Sequence, residues 1–142
     1  MSYYGIRFKN TPTMKKRHEP CSRLIYEVLC DNTSYILLVE NKDGRKGLPT
    51  AKIKIAETPQ DAILRKLPQE TGLLFLREDL GKEYTCQKDH FFCIKKTHLK
   101  LPKLHPKEVP HAMFVLKQVC EDTIDTNRQK KVFRKYIQES KV

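Results

Sequence analysis

Arg65, Lys66, Gln69 and Glu70 put a guanidinium, an ammonium, an amide and a carboxylate on one side of a single predicted helix, because residues three and four apart are neighbours on a helical surface. That polar face is the candidate site. Lys66 and Glu70 are also at the spacing that favours a direct ion pair. Ala62, Ile63, Leu67 and, past Gly72, Leu73 and Leu74 supply the apolar side. Thr58 or Glu57 is positioned to cap the helix, Pro59 sits in its first turn where a missing N–H costs nothing, and Asp61 complements the helix start. Gly72 ends it. Pro68 falls inside, removes the N–H that would bond to the Leu64 carbonyl, and predicts that the helix either stops about a turn early or kinks.

In chain order, the stretch Leu48 to Leu73 reads as a strand, a tight turn and this helix, and it resembles the signature box of the Nudix hydrolase superfamily. That pattern runs Gly, five residues, Glu, seven residues, Arg-Glu, an aliphatic, any residue, Glu-Glu, any residue, Gly and an aliphatic. Glu57, Arg65, Leu67, Glu70, Gly72 and Leu73 match it in register without insertion, after a matching Leu48-Pro49. Ala51 stands where the pattern has Gly, Thr50 where a second Gly often precedes it, and Lys66 and Gln69 where it has glutamates. The resemblance implies an α/β fold of Nudix type, an α/β/α sandwich around a mixed sheet. It implies a magnesium or manganese ion held by helix glutamates to polarise a pyrophosphate linkage, a task for hard oxygen ligands. Here Glu70 is the remaining carboxylate ligand, Gln69 a weaker neutral one, and Lys66 brings an ammonium where a ligand stood, so the metal is expected to bind weakly or not at all. By the same resemblance Glu70, Glu57 and Arg65 are the candidate catalytic residues, with Glu57 and Arg65 pairing across the helix start. Lys66, Lys52 and Glu108 are the candidate substrate contacts, Glu108 standing nearest to the position of a late loop carboxylate.

The elements that must position these groups read as follows. Residues 23–30 and 35–40 are apolar, β-branched or aromatic runs separated by Asp31-Asn32-Thr33, hence two strands and a turn. Residues 41–47 form a second turn. After the box, residues 83–86 and 90–96 read as a hairpin about Gln87-Lys88-Asp89, with Phe91 and Cys93 on one face and Phe92 and Ile94 on the other. That alternation separates His90 from Cys93 and argues against a zinc site among Cys86, His90, Cys93 and His98. Residues 97–110 are a loop rich in Lys, His and Pro, long enough for a lid over a substrate. Residues 112–116 form a further strand, and residues 126–140 a helix with Val132, Phe133, Tyr136 and Ile137 as its apolar stripe. Near the start, residues 3–8 alternate Tyr4, Ile6 and Phe8 as a short edge strand. Lys15, Lys16, Arg17 and His18 then form a basic cluster able to touch phosphate.

A chain of 142 residues accommodates one core without staples. We divide it into a basic N-terminal extension, residues 1–20, and one Nudix-like domain, residues 21–142. The net charge of +11, from 28 Lys and Arg against 17 Asp and Glu, points to an anionic partner. Five cysteines with no C-x-x-C pair favour reduced thiols and a cytoplasmic setting. No stretch approaches a membrane span or a signal-peptide core. Three functions fit. One is a catalytically impaired Nudix-like protein binding a nucleotide, a phosphorylated metabolite or RNA through a basic cleft. Another is an active metal-dependent pyrophosphohydrolase of nucleoside diphosphates linked to another group. The third is a protein-interaction scaffold.

Overall fold

The computed structural model describes residues 19–105 and 111–140. The predicted strand at residues 3–8, the basic cluster at residues 15–18 and Glu108 lie outside the described residues. At the centre, β1 (Cys21–Cys30) and β2 (Thr33–Glu40) form an antiparallel pair, each starting two residues earlier than the sequence predicts. Asp31 and Asn32 make the turn between them with φ of 52° and 61°, the left-handed conformation that Asn and Asp tolerate best among residues with a Cβ.

The remaining strands are β3 (Lys46–Gly47), β4 (Thr50–Lys52), β5 (Glu83–Cys86), β6 (Asp89–Thr97) and β7 (Ala112–Leu116). The sheet order is β3-β2-β1-β6-β5, with β4 pairing the start of β1 and β7 pairing β2. β1 and β6 run parallel from Ser22 opposite His90 to Leu29 opposite Thr97, while the other pairs are antiparallel. The sheet is therefore mixed. Its parallel pair needs a crossover, and α1 (Pro59–Thr71) lies within that crossover. Two residues, Gln87 and Lys88, turn β5 into β6, so Asp89 is the first residue of a strand rather than the last of a turn. Gln87 takes a positive φ of 57° there.

Strand alternation splits the core in two. Leu24, Tyr26, Val28, Leu37, Phe92 and Ile94 pack with Ala62, Ile63 and Leu67 of α1 on one face. Ile25, Ile36, Leu38, Phe91 and Cys93 pack on the other with Cys120 of α2 (Lys117–Thr123) and with Val132, Phe133 and Tyr136 of α3 (Asn127–Ser140). The result is an α/β/α sandwich, with each fully buried Leu, Ile or Phe contributing about 1.5–3 kcal/mol.

The start of α1 follows from its cap. Thr58 Oγ1 accepts from the Asp61 amide at 3.1 Å, and the Asp61 carboxylate accepts from the Thr58 amide at 3.5 Å, a reciprocal pair that satisfies two otherwise orphaned donors. At the other end, helix continues through Pro68 to Thr71, so of the two outcomes expected at that proline, an early stop or a kink, the early stop does not occur. Pro68 lies in the last turn, and the residues around it are held independently. Leu67 and Thr71 are buried, Thr71 Oγ1 donates to the Leu67 carbonyl at 2.7 Å, and the Gly72 amide donates to the Pro68 carbonyl at 3.0 Å. Gly72 closes the helix in the left-handed region with φ of 79°, the conformation for which glycine is favoured at this position.

Candidate functional site

The loop between β4 and α1 is built around one ion pair. Arg65 Nε and Nη2 donate to the two Glu57 oxygens at 2.7 and 3.2 Å, and Nη2 also donates to the Lys52 carbonyl at 2.9 Å. The Lys54 amide donates to Glu57 Oε1 at 3.0 Å. The hydrogen bonds from Arg65, followed by that from the Lys54 amide, hold the Glu57 carboxyl below the usual carboxylate range, and Glu57 in turn raises Arg65. Both carboxylate oxygens are thus occupied in tying strand, loop and helix together. A fork on a carboxylate is well suited to that task.

Glu70 lies elsewhere. From the last turn of α1 it reaches the wall of a cavity of about 290 Å³, which Arg23, Arg45, Lys46, Thr50 and Gln129 also line. The lining thus includes three basic residues and one helix carboxylate residue. Lys66 is half-buried and Gln69 exposed on the same helix, and neither lines the cavity. Lys52 is exposed and pairs with Glu19 at 3.9 Å. The structure therefore gathers Glu70 with Thr50 at the cavity and Glu57 with Arg65 outside it. Larger concavities of about 530 and 480 Å³ lie by Lys117 and by His98, and neither includes a residue of the box.

Sequence reasoning missed the cations. Arg23 is an interior residue of β1 whose side chain is 12 % exposed. Its Nε donates to Asp89 Oδ2 at 3.2 Å, its Nη1 donates to Thr50 Oγ1 at 2.6 Å, and its Cζ lies 5.9 Å from the Phe91 ring centroid. Thr50 Oγ1 in turn donates to the Leu48 carbonyl at 2.8 Å. Asp89 is fully buried and also faces Arg128 Nη1 of α3 at 3.6 Å. Local sequence carries no sign of these pairings, which join residues 27 and 66 positions apart.

The loop carrying Arg45 and Lys46 is fastened from both sides. Asn41 Oδ1 accepts from the Asp43 and Arg45 amides at 2.9 and 3.0 Å, forming the turn itself. From α3, Gln129 Oε1 accepts from the Leu48 amide at 2.8 Å, and this side chain lies so close to Gly47 that a Cβ there would come within 2.7 Å of Gln129 Oε1. The Asp125 amide donates to the Lys46 carbonyl at 2.9 Å and its carboxylate accepts from the Lys46 amide at 2.5 Å.

No protein-family model matches the sequence, and no curated protein matches it. Solved structures do match the fold. A C. elegans Ap4A hydrolase in a binary complex aligns over 85 % of this chain and 96 % of its own, with TM-score 0.67 and 12 % identity. The NUDIX domain of Shewanella oneidensis NrtR complexed with ADP ribose aligns over 92 % and 94 %, with TM-score 0.66 and 12 % identity. The C-terminal domain of mouse MUTYH, solved with human PCNA, aligns over 87 % and 90 %, with TM-score 0.63 and 19 % identity. With the box in register, its helix on one face of a mixed sheet and these structural likenesses, the chain has the Nudix fold.

Proposed function

We propose that this chain is a Nudix-fold protein with a degenerate metal site, impaired in hydrolysis, that binds a nucleotide or another phosphorylated small molecule in the basic cavity beside Glu70. The observation that carries this reading is the composition of the wall, where Arg23, Arg45 and Lys46 accompany a single box carboxylate. A hard divalent cation needs several anionic oxygens. The donor set on α1, one carboxylate with a neighbouring ammonium and amide, does not fit that need, and the cavity's cations repel the ion further. The same cations suit a phosphate group directly. Two structural neighbours are consistent with such a ligand, an Ap4A hydrolase and a NUDIX domain that holds ADP ribose. Residues 21–142 form the domain, and residues 1–20 a basic extension that adds to polyanion attraction, RNA included. Glu57 and Arg65 have a supporting role, since both are committed to the β4–α1 loop.

The test is a thermal-shift screen of mononucleotides, ADP ribose and dinucleoside polyphosphates, each with magnesium and with a chelator, because a ligand of the native state raises Tm. A stabilisation that survives chelation is expected. Magnesium-dependent turnover of any member would overturn the impaired reading in favour of an active pyrophosphohydrolase. Absence of stabilisation by every ligand in both conditions would favour the interaction-scaffold reading.

A further inference from the structure

Thr50 and Asp89 contact the cavity's most buried cation. Thr50 stands where the box pattern often has a glycine, so its hydroxyl is an addition at this place. That hydroxyl accepts from Arg23 Nη1 at 2.6 Å and is itself oriented by donating to the Leu48 carbonyl at 2.8 Å. Asp89, fully buried, accepts from Arg23 Nε at 3.2 Å. The Phe91 ring, also fully buried, lies beside the guanidinium. Nη2 makes no hydrogen bond among the described residues, and the side chain reaches the cavity wall on which Glu70, Arg45 and Lys46 also lie.

We propose that Thr50 and Asp89 are positioning residues that clamp the Arg23 guanidinium as a built-in cation, so that the cavity binds a phosphate or diphosphate group directly and without a divalent metal. This rests on the reading of the cavity as a phosphorylated-ligand site and adds how the anion is held. A guanidinium fixed by two partners presents its remaining donors in one plane, the geometry that matches two oxygens of one phosphoryl group. Low solvent exposure strengthens that attraction. Fixing the fork beforehand removes most of the rotamer entropy that a free arginine would lose on binding. A metal ion placed in the same cavity would face the guanidinium's repulsion, so bound metal and bound anion do not cooperate here.

The experiment is calorimetric titration of inorganic pyrophosphate into the full chain, in chelator and again in magnesium, for wild type, Thr50→Val, Thr50→Ser and Arg23→Lys, with the melting temperature of each recorded. Thr50→Val keeps the shape and loses the acceptor, Thr50→Ser restores the acceptor, and Arg23→Lys keeps the charge and loses the fork. Wild type is expected to bind in chelator at least as well as in magnesium, which sequesters free pyrophosphate. Thr50→Val should weaken binding about tenfold and Arg23→Lys more, while Thr50→Ser should bind like wild type. Wild-type binding that is unchanged in Thr50→Val and Arg23→Lys overturns the clamp and leaves the phosphorylated-ligand reading standing. Wild-type pyrophosphate binding that requires magnesium overturns the metal-free part. Failure of the wild type to bind pyrophosphate or any nucleotide in either condition overturns both. A Thr50→Val protein whose weakened binding is not restored in Thr50→Ser would show a packing effect and also count against the clamp.

Discussion

Glu57 is a carboxylate held below its ordinary titration range by Arg65 and by the Lys54 amide. Because its folded pKa is lower than its unfolded one, the stabilisation it provides is present above the unfolded value, about 4.3, and is lost as pH falls through the folded value. The wild-type melting temperature should therefore decline more steeply than that of Glu57→Gln on acidification from about pH 5 to about pH 3, as read by circular dichroism. Lys66 and Gln69 give the complementary test on the same helix. Lys66→Glu with Gln69→Glu adds two anionic oxygen ligands near Glu70, and magnesium affinity measured by calorimetry is expected to rise about tenfold, since ligand charge count tunes such sites. Phosphate release should change little, because Arg23, Arg45 and Lys46 keep their places on the cavity wall.

At the scale of elements, local rules carried most of the reading. Period-two alternation in β6 sends Phe91 and Cys93 to one core and Phe92 and Ile94 to the other. Cap chemistry sets both ends of α1 at Thr58 and Gly72. What stayed hidden depends on partners far along the chain. Asp89 reads as a turn residue until Arg23 and Arg128 are placed against it, and Gln129 reads as one more polar position of α3 until it meets the Leu48 amide. Glu27, inside an apolar strand, is similar. Burial pushes its carboxyl up, yet hydrogen bonds from Tyr136, Lys117 and Ser34 outweigh that and hold it below the ordinary range. Pro68 is a partial converse, since the early stop open to it does not occur where Leu67 and Thr71 are buried on either side. The end of the same helix gives a sharper prediction. Gly72 has φ of +79°, and a Cβ there would stand 2.7 Å from the His105 carbonyl oxygen and 2.9 Å from its nitrogen. Gly72→Ala combines left-handed strain with a backbone clash and should cost at least about 2 kcal/mol in urea denaturation.

The whole molecule is organised about β1, which pairs with β2, β6 and β4 and is covered by core on both faces. β3 and β4, by contrast, are strands of two and three residues, β3 lies at the sheet edge, and the segment joining them is held by the Leu24 amide on the Pro49 carbonyl and by the Leu48 amide on Gln129 Oε1. Regions of such unequal attachment open independently, the weaker ones with far less free energy than global unfolding requires. In deuterated solvent the β1 amides are expected to exchange only when the whole domain unfolds, and the amides of residues 45–50 through small local openings that leave β1 protected. Mass spectrometry of the two peptides, at several denaturant concentrations, separates these routes, and equal denaturant dependence in both would refute the distinction. Since Arg45, Lys46 and Thr50 belong to that segment and also to the cavity wall, a bound anion should slow exchange there while leaving β1 unchanged. Because this short segment lines the cavity, deuterium uptake there is a direct report of occupancy, independent of any catalytic readout.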